Sequence, residues 1–211
     1  MNLSKRSFIS LLATLLIVPA LAQTAETPMN TNHRYLVERT FPKGALDGLD
    51  STTKSKVNQG NATLGVTWIK SYANADKTKT YCVYEGPNEA AIRKAAQINC
   101  LPVDSVVEVP TQLDPELTAK AAALQPAHRY FVERTFPKGA IDGITPAGKA
   151  KVNETNSKFG VKWVTSYAND DKTKTYCIYE GPSPDAIREA AKANGMNANT
   201  VTEIPETLQP K

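Results

Sequence analysis

Three cysteines, two histidines and two tryptophans are all that this chain of 211 residues holds of those types. So sparse and odd a set of cysteines does not make a disulfide framework of the kind that stabilises many small exported domains. Two histidines make a weak metal site unless a carboxylate or a cysteine joins them. Strong charge is lacking too: the net charge is +4, which gives no strong electrostatic case for binding nucleic acid or an anionic membrane. The usual catalytic signatures are missing. There is no Gly-x-Ser-x-Gly, no His-Glu-x-x-His, no glycine-rich phosphate loop and no Cys-x-x-Cys, so no reaction class announces itself.

The one nearly unbroken apolar run, Phe8 to Val18, is too short to span a bilayer. It follows Lys5 and Arg6 and leads through Pro19 to Ala20-Leu21-Ala22, a small-residue pattern that fits signal peptidase. Residues 1–22 therefore read as a signal peptide cleaved after Ala22, with an uncleaved anchor as the alternative, and the expected location is periplasmic or secreted. Loss of Lys5 and Arg6 takes the charge from +4 to +2.

What the sequence does have is an internal repeat. His33 to Pro42 reappears as His128 to Pro137, an offset of 95 that runs without a gap to Pro110 and Pro205, with 46 of 78 aligned positions identical. The period is too long for a solenoid unit and suits a self-contained small domain. Two copies, 33–110 and 128–205, are joined by a linker, 111–127, that is alanine-rich and has room for a short helix.

Each copy reads as β-α-β-β-α-β. Arg34 to Phe41 alternates as a strand does and is broken by Pro42. Asp50, or Thr145-Pro146 in the second copy, caps a helix running to about Leu64 or Phe159. Val66 to Ala73 and Thr78 to Glu85 form a hairpin; Asn88 or Ser183 caps a second helix, and Val106 to Val109 is a last strand. This order predicts an α+β chain of two tandem ferredoxin-like (βαββαβ) domains, each a four-stranded antiparallel sheet with both helices on one face. The bare faces need cover, and the expectation is that they pack on each other as an intramolecular pseudo-dimer, with any ligand site between the sheets or at their mouth.

The stretches Tyr-Leu-Val-Glu-Arg-Thr-Phe-Pro, Gly-Val-x-Trp-x-x-Ser-Tyr and Asp-Lys-x-Lys-Thr-Tyr-Cys-x-Tyr-Glu-Gly-Pro span nearly all of Tyr35 to Val109 and return in Tyr130 to Ile204. They resemble a family of small ferredoxin-like domains of unknown function whose named representative is a bacterial nickel-binding protein. The resemblance implies the fold, and a divalent metal such as nickel as a ligand; it attaches no reaction.

The candidate metal ligands are His33 and His128, at equivalent strand starts, with Cys82 and Cys177; each histidine is otherwise a solvated residue. Either cysteine is otherwise a buried small side chain, half of a disulfide between the copies, or a reactive group. Cys100 falls at a helix end where the second copy has Gly195 and reads as a partly exposed free thiol. Glu38-Arg39 and Glu133-Arg134 place opposite charges on opposite faces of one strand, so one of each must enter an interior. That charge is either paired with Glu85 or Glu108 or free to orient a polar or anionic ligand. With Glu85, Glu180, Trp68 and Trp163 these residues are the candidate ligand site; Trp68, Trp163 and the tyrosines near them otherwise fill the core.

Two functions remain. One is an exported, non-catalytic binding protein for a divalent metal or a small polar ligand. The other is a small cofactor-free enzyme, of oxygenase or isomerase type, with its site between the sheets.

Overall fold

The structure, a computed structural model, describes residues 32–115 and 128–211. The expected signal peptide and the expected linker helix lie outside these residues.

In the first half, β1 (His33–Thr40), α1 (Ser51–Ala62), β2 (Thr67–Ala73), β3 (Lys79–Gly86), α2 (Glu89–Ile98) and β4 (Ser105–Glu108) follow the anticipated order. After Pro110 comes β5 (Thr111–Leu113). The second half repeats the series as β6 (His128–Thr135), α3 (Pro146–Ser157), β7 (Lys162–Ala168), β8 (Lys174–Gly181), α4 (Pro184–Ala193), β9 (Thr200–Glu203) and β10 (Glu206–Leu208). The helix starts are capped as the sequence indicates: Asp50 accepts from Thr53 N at 2.7 Å and Ser183 from Ala186 N at 3.1 Å. Among the described residues, no helix is long and apolar enough to cross a membrane.

The sheets have five strands each, not four. Their orders are β10-β2-β3-β1-β4 and β5-β7-β8-β6-β9. Each half supplies the ferredoxin-like four and sends its last strand to the other: β10 pairs with β2 through Leu208↔Ser71, and β5 with β7 through Leu113↔Ser166. The segment expected to begin the linker is therefore a strand. The physical reason is the free edge of β2 and of β7, whose unpaired backbone groups accept a short strand.

Alternation along the strands splits the apolar residues between two interiors. Tyr35, Val37, Trp68, Cys82 and Tyr84 pack under the helices with Ile92 and Ala95, and the second half matches this with Tyr130, Val132, Trp163, Cys177 and Tyr179. A third core joins the two sheets: Leu36, Tyr72, Tyr81 and Val83 meet Phe131, Tyr167, Tyr176 and Ile178. Tyr81 stacks on Phe131 with ring centroids 3.7 Å apart. The bare sheet faces thus cover one another.

Candidate functional site

Arg39 settles which charge enters an interior. It shares the helix-side face with Tyr35, Val37 and Phe41 and is only 2% exposed; Arg134 is 3% exposed. Glu38 points to the other face, where it forms an ion pair with Lys79. The expected ion pair for the buried arginine is absent: Glu85 is held by Arg34 at 2.8 Å and Glu108 by His33 at 2.6 Å. Arg39 instead donates through Nη1 to the Pro102 carbonyl and through Nη2, at 3.4 Å, to the Tyr84 hydroxyl, with its guanidinium 5.6 Å from the Tyr84 ring centre. The guanidinium also interacts with the Cys82 side chain, while its Nε has no partner among the described residues. Arg134 repeats this with the Asn197 carbonyl and a position 5.3 Å over the Tyr179 ring, and its Nε is likewise unpartnered.

A buried cation without a carboxylate is costly, and here it faces a pocket. In the first half a cavity of about 50 Å³ lies between the sheet and the α1 side, with Arg39, Ser71, Thr80, Cys82 and Tyr84 on one wall and Phe41, Leu49, Trp68 and Leu208 among its apolar walls. The second half has its counterpart, also about 50 Å³, with Arg134, Ser166, Thr175, Cys177 and Tyr179 against Phe136, Ile144, Trp163 and Leu113.

A β-bulge builds part of this wall. The register of β2 on β3 shifts between Trp68 and Lys70, so Trp68 and Ser71 share a face that strict alternation would deny them. The Trp68 indole donates to Ser71 Oγ at 2.9 Å, and Trp163 to Ser166 Oγ at the same distance. Thr80 Oγ1 lies 3.3 Å from Cys82 Sγ. Burial pushes the phenols of Tyr84 and Tyr179 up to about 12, so both are neutral hydrogen-bonding groups at ordinary pH. For Arg39, burial pulls its pKa down, but the neighbouring Tyr84 and Cys82 outweigh it and the net direction is upward. The guanidinium is charged at neutral pH.

Of the eight candidate ligand residues, Arg39, Trp68, Arg134 and Trp163 line these two pockets. Glu38, Glu85, Glu133 and Glu180 do not line them; they hold Lys79, Arg34, Thr200 and Arg129 in turn. The anticipated position between the sheets is also revised, because tyrosine, phenylalanine and leucine pack that space and both pockets lie on the opposite face of each sheet. Ser71, Thr80 and Leu208 were not among the candidates. The bulge that turns Ser71 inward leaves no mark in the sequence, and Leu208 enters from the other copy.

The candidate metal residues are not brought together. Cys82 and Cys177 are buried free thiols on the helix-side faces of different sheets, which also rules out a disulfide between them. His33 is 46% exposed, with Nδ1 2.6 Å from Glu108 Oε1, and His128 stands in the same way 2.6 Å from Glu203. Among the described residues no three His, Cys, Asp or Glu side chains converge as a metal site. Cys100 is exposed, as anticipated.

A family model described as nickel responsive protein, SCO4226-like, matches residues 35–109 and 130–204. Comparison with curated proteins found no match. Among solved structures, SCO4226 from Streptomyces coelicolor A3(2) is similar at 20% identity over 37% of this chain and 96% of that one, with a TM-score of 0.29. An anthrone oxidase-like protein is similar at 11% identity, covering 86% of this chain and 94% of that one, with a TM-score of 0.40. A mutant chlorite dismutase from Candidatus Nitrospira defluvii is similar at 7% identity, over 85% and 91%, with a TM-score of 0.42.

Proposed function

The chain belongs to the nickel responsive SCO4226-like family, and from that membership together with its two buried arginines we propose that it is an exported, non-catalytic binding protein. It works as an intramolecular pseudo-dimer with one ligand site per half. The observation that carries this reading is an arginine that has, among the described residues, no carboxylate and no partner for its Nε, beside a cavity. Such a group is an unfilled demand for an acceptor. A small anion with a short apolar body meets it: the carboxylate takes the guanidinium and the Ser71 or Thr80 hydroxyls, while the body lies on the leucine and aromatic walls. A cavity of about 50 Å³ holds a few water-sized centres, which fits a molecule of acetate or propionate size and excludes a sugar or nucleotide.

Nickel is the second reading, and one observation favours it. Engagement of Nδ1 by a carboxylate, as at His33 and His128, leaves Nε2 free and is the way many metal-bound histidines are oriented. The described residues offer no third donor beside either pair, so they do not complete a nickel site on their own.

Calorimetric titration separates the two readings. The wild-type protein is titrated with sodium propionate and, separately, with nickel chloride, beside Arg39→Gln/Arg134→Gln and His33→Ala/His128→Ala variants. Propionate binding near two equivalents, lost with the arginines and kept without the histidines, is the expected result. Nickel binding lost with the histidines, and no propionate binding, would replace this reading with the metal one.

A further inference from the structure

Each pocket takes one wall from the opposite half. Leu208 lies on β10, which belongs by sequence to the second copy, yet it packs in the helix-side core of the first half and lines the Arg39 pocket. Leu113, on β5, does the same for the Arg134 pocket. We infer that the two exchanged strands are gates: displacement of β10 opens the Arg39 pocket and displacement of β5 opens the Arg134 pocket, so each site is closed by the other half. This inference rests on the reading of the two pockets as ligand sites.

The strands are built to move more easily than the other walls. Both are three residues long, sit at a sheet edge and pair on one side only, the places where local opening costs least. The strands that carry Arg39, Cys82 and Tyr84 pair on both sides. Apart from its backbone pairing with β2 and the packing of Leu208, what holds β10 down is polar and partly exposed. Lys77 pairs with Glu206 at 3.2 Å, Arg129 Nη1 donates to Thr207 Oγ1 at 3.1 Å, and Asn58 Nδ2 on α1 donates to the Pro210 carbonyl at 3.0 Å. The fastening of β5 is alike: Arg34 holds Gln112, and Thr165 Oγ1 donates to Asp114 at 2.7 Å. Arg34 and Arg129 also bind Glu85 and Glu180 in the middle strands of their own sheets. Each gate is thereby tied to the half whose pocket it does not cover.

A rival route exists in the first half, where Phe41, Leu46 and Leu49 stand between the Arg39 pocket and an open groove of about 630 Å³. The two routes predict different variants to matter.

Cys82 and Cys177 report on the pockets they line, and the test needs no ligand. The full chain carrying Cys100→Gly, which removes the exposed thiol, is treated with methyl methanethiosulfonate, and the rate at each remaining cysteine is read by peptide mass spectrometry. Leu208→Ala keeps the backbone pairing but shortens the gate, and should speed Cys82 about tenfold with Cys177 within about twofold, since only local opening changes. Leu113→Ala should do the reverse. Asn58→Ala, which frees Pro210 without touching the pocket wall, should speed Cys82 alone. Equal acceleration at both thiols, no acceleration at either, or acceleration by Leu46→Ala in place of Leu208→Ala would each overturn the gate. If the gates work and propionate does not bind, the ligand reading fails and the opening mechanism stands.

Discussion

Replacing Arg39 by methionine separates a binding residue from a structural one. Methionine has similar length and no charge, so the substitution removes a guanidinium that is 2% exposed and has no acidic partner among the described residues. The charge-assisted bond to the Pro102 carbonyl is worth about 1.5–3 kcal/mol, and the placement over Tyr84 about 0.5–2 kcal/mol. Against these stands the cost of keeping an ion out of water, several kcal/mol even after relaxation. The two sides nearly cancel, with the balance toward the apolar side chain. Chemical denaturation should therefore show Arg39→Met unchanged or more stable by about 1 kcal/mol, while propionate binding in the first half disappears. That pair of results would mark Arg39 as a binding residue and not a structural one. A loss of about 3–5 kcal/mol, the size seen when a buried pair is broken, would show that the arginine holds the fold together and would refute this reasoning.

Cys100 has φ 53 where Gly195 has φ 68, and the left-handed region is strained for any residue with a Cβ. Cys100→Gly should stabilise the protein by about 1 kcal/mol and raise the melting temperature by about 2–4 °C, measured by calorimetry. The phenols of Tyr84, Tyr176 and Tyr179 are pushed up to about 12 by burial, above the unfolded value near 10. The folded state therefore keeps protons the unfolded state loses, and stability is full below pH 10 and falls as pH rises toward 12. Tyrosinate absorbance should lag behind that of free tyrosine and appear together with loss of circular dichroism; an ordinary titration of all eight tyrosines in a still folded protein would contradict it. His33→Ala/His128→Ala should leave propionate affinity within about twofold, because neither side chain lines a pocket.

Much of the fold is legible because the chain states it twice. Where one copy is ambiguous the other is not: Asn88 is a weaker helix cap than Ser183-Pro184-Asp185, yet both helices begin at the same repeat position. The exchanged strands are not legible, since Thr111-Gln-Leu113 and Glu206-Thr-Leu208 are too short to show an alternation. The site is half legible. The pairing of Glu38 with Arg39 on one strand signals that a charge enters an interior, but both faces of these sheets are interiors, so the residues alone do not choose between them. The choice is made by bulk. Tyr72, Tyr81 and their partners fill the space between the sheets, whereas under α1, a helix with only Asn61 fully buried, room remains beside Arg39.

The two tryptophans, one in each pocket, allow the central claim to be tested in one spectrum. Titration of the ¹⁵N-labelled protein with sodium propionate should shift the indole N–H resonances of both Trp68 and Trp163, saturably, and neither should move in Arg39→Gln/Arg134→Gln. Indoles that stay still in the wild type, or that shift equally in the double variant, would contradict the assignment of the two buried-arginine pockets as binding sites.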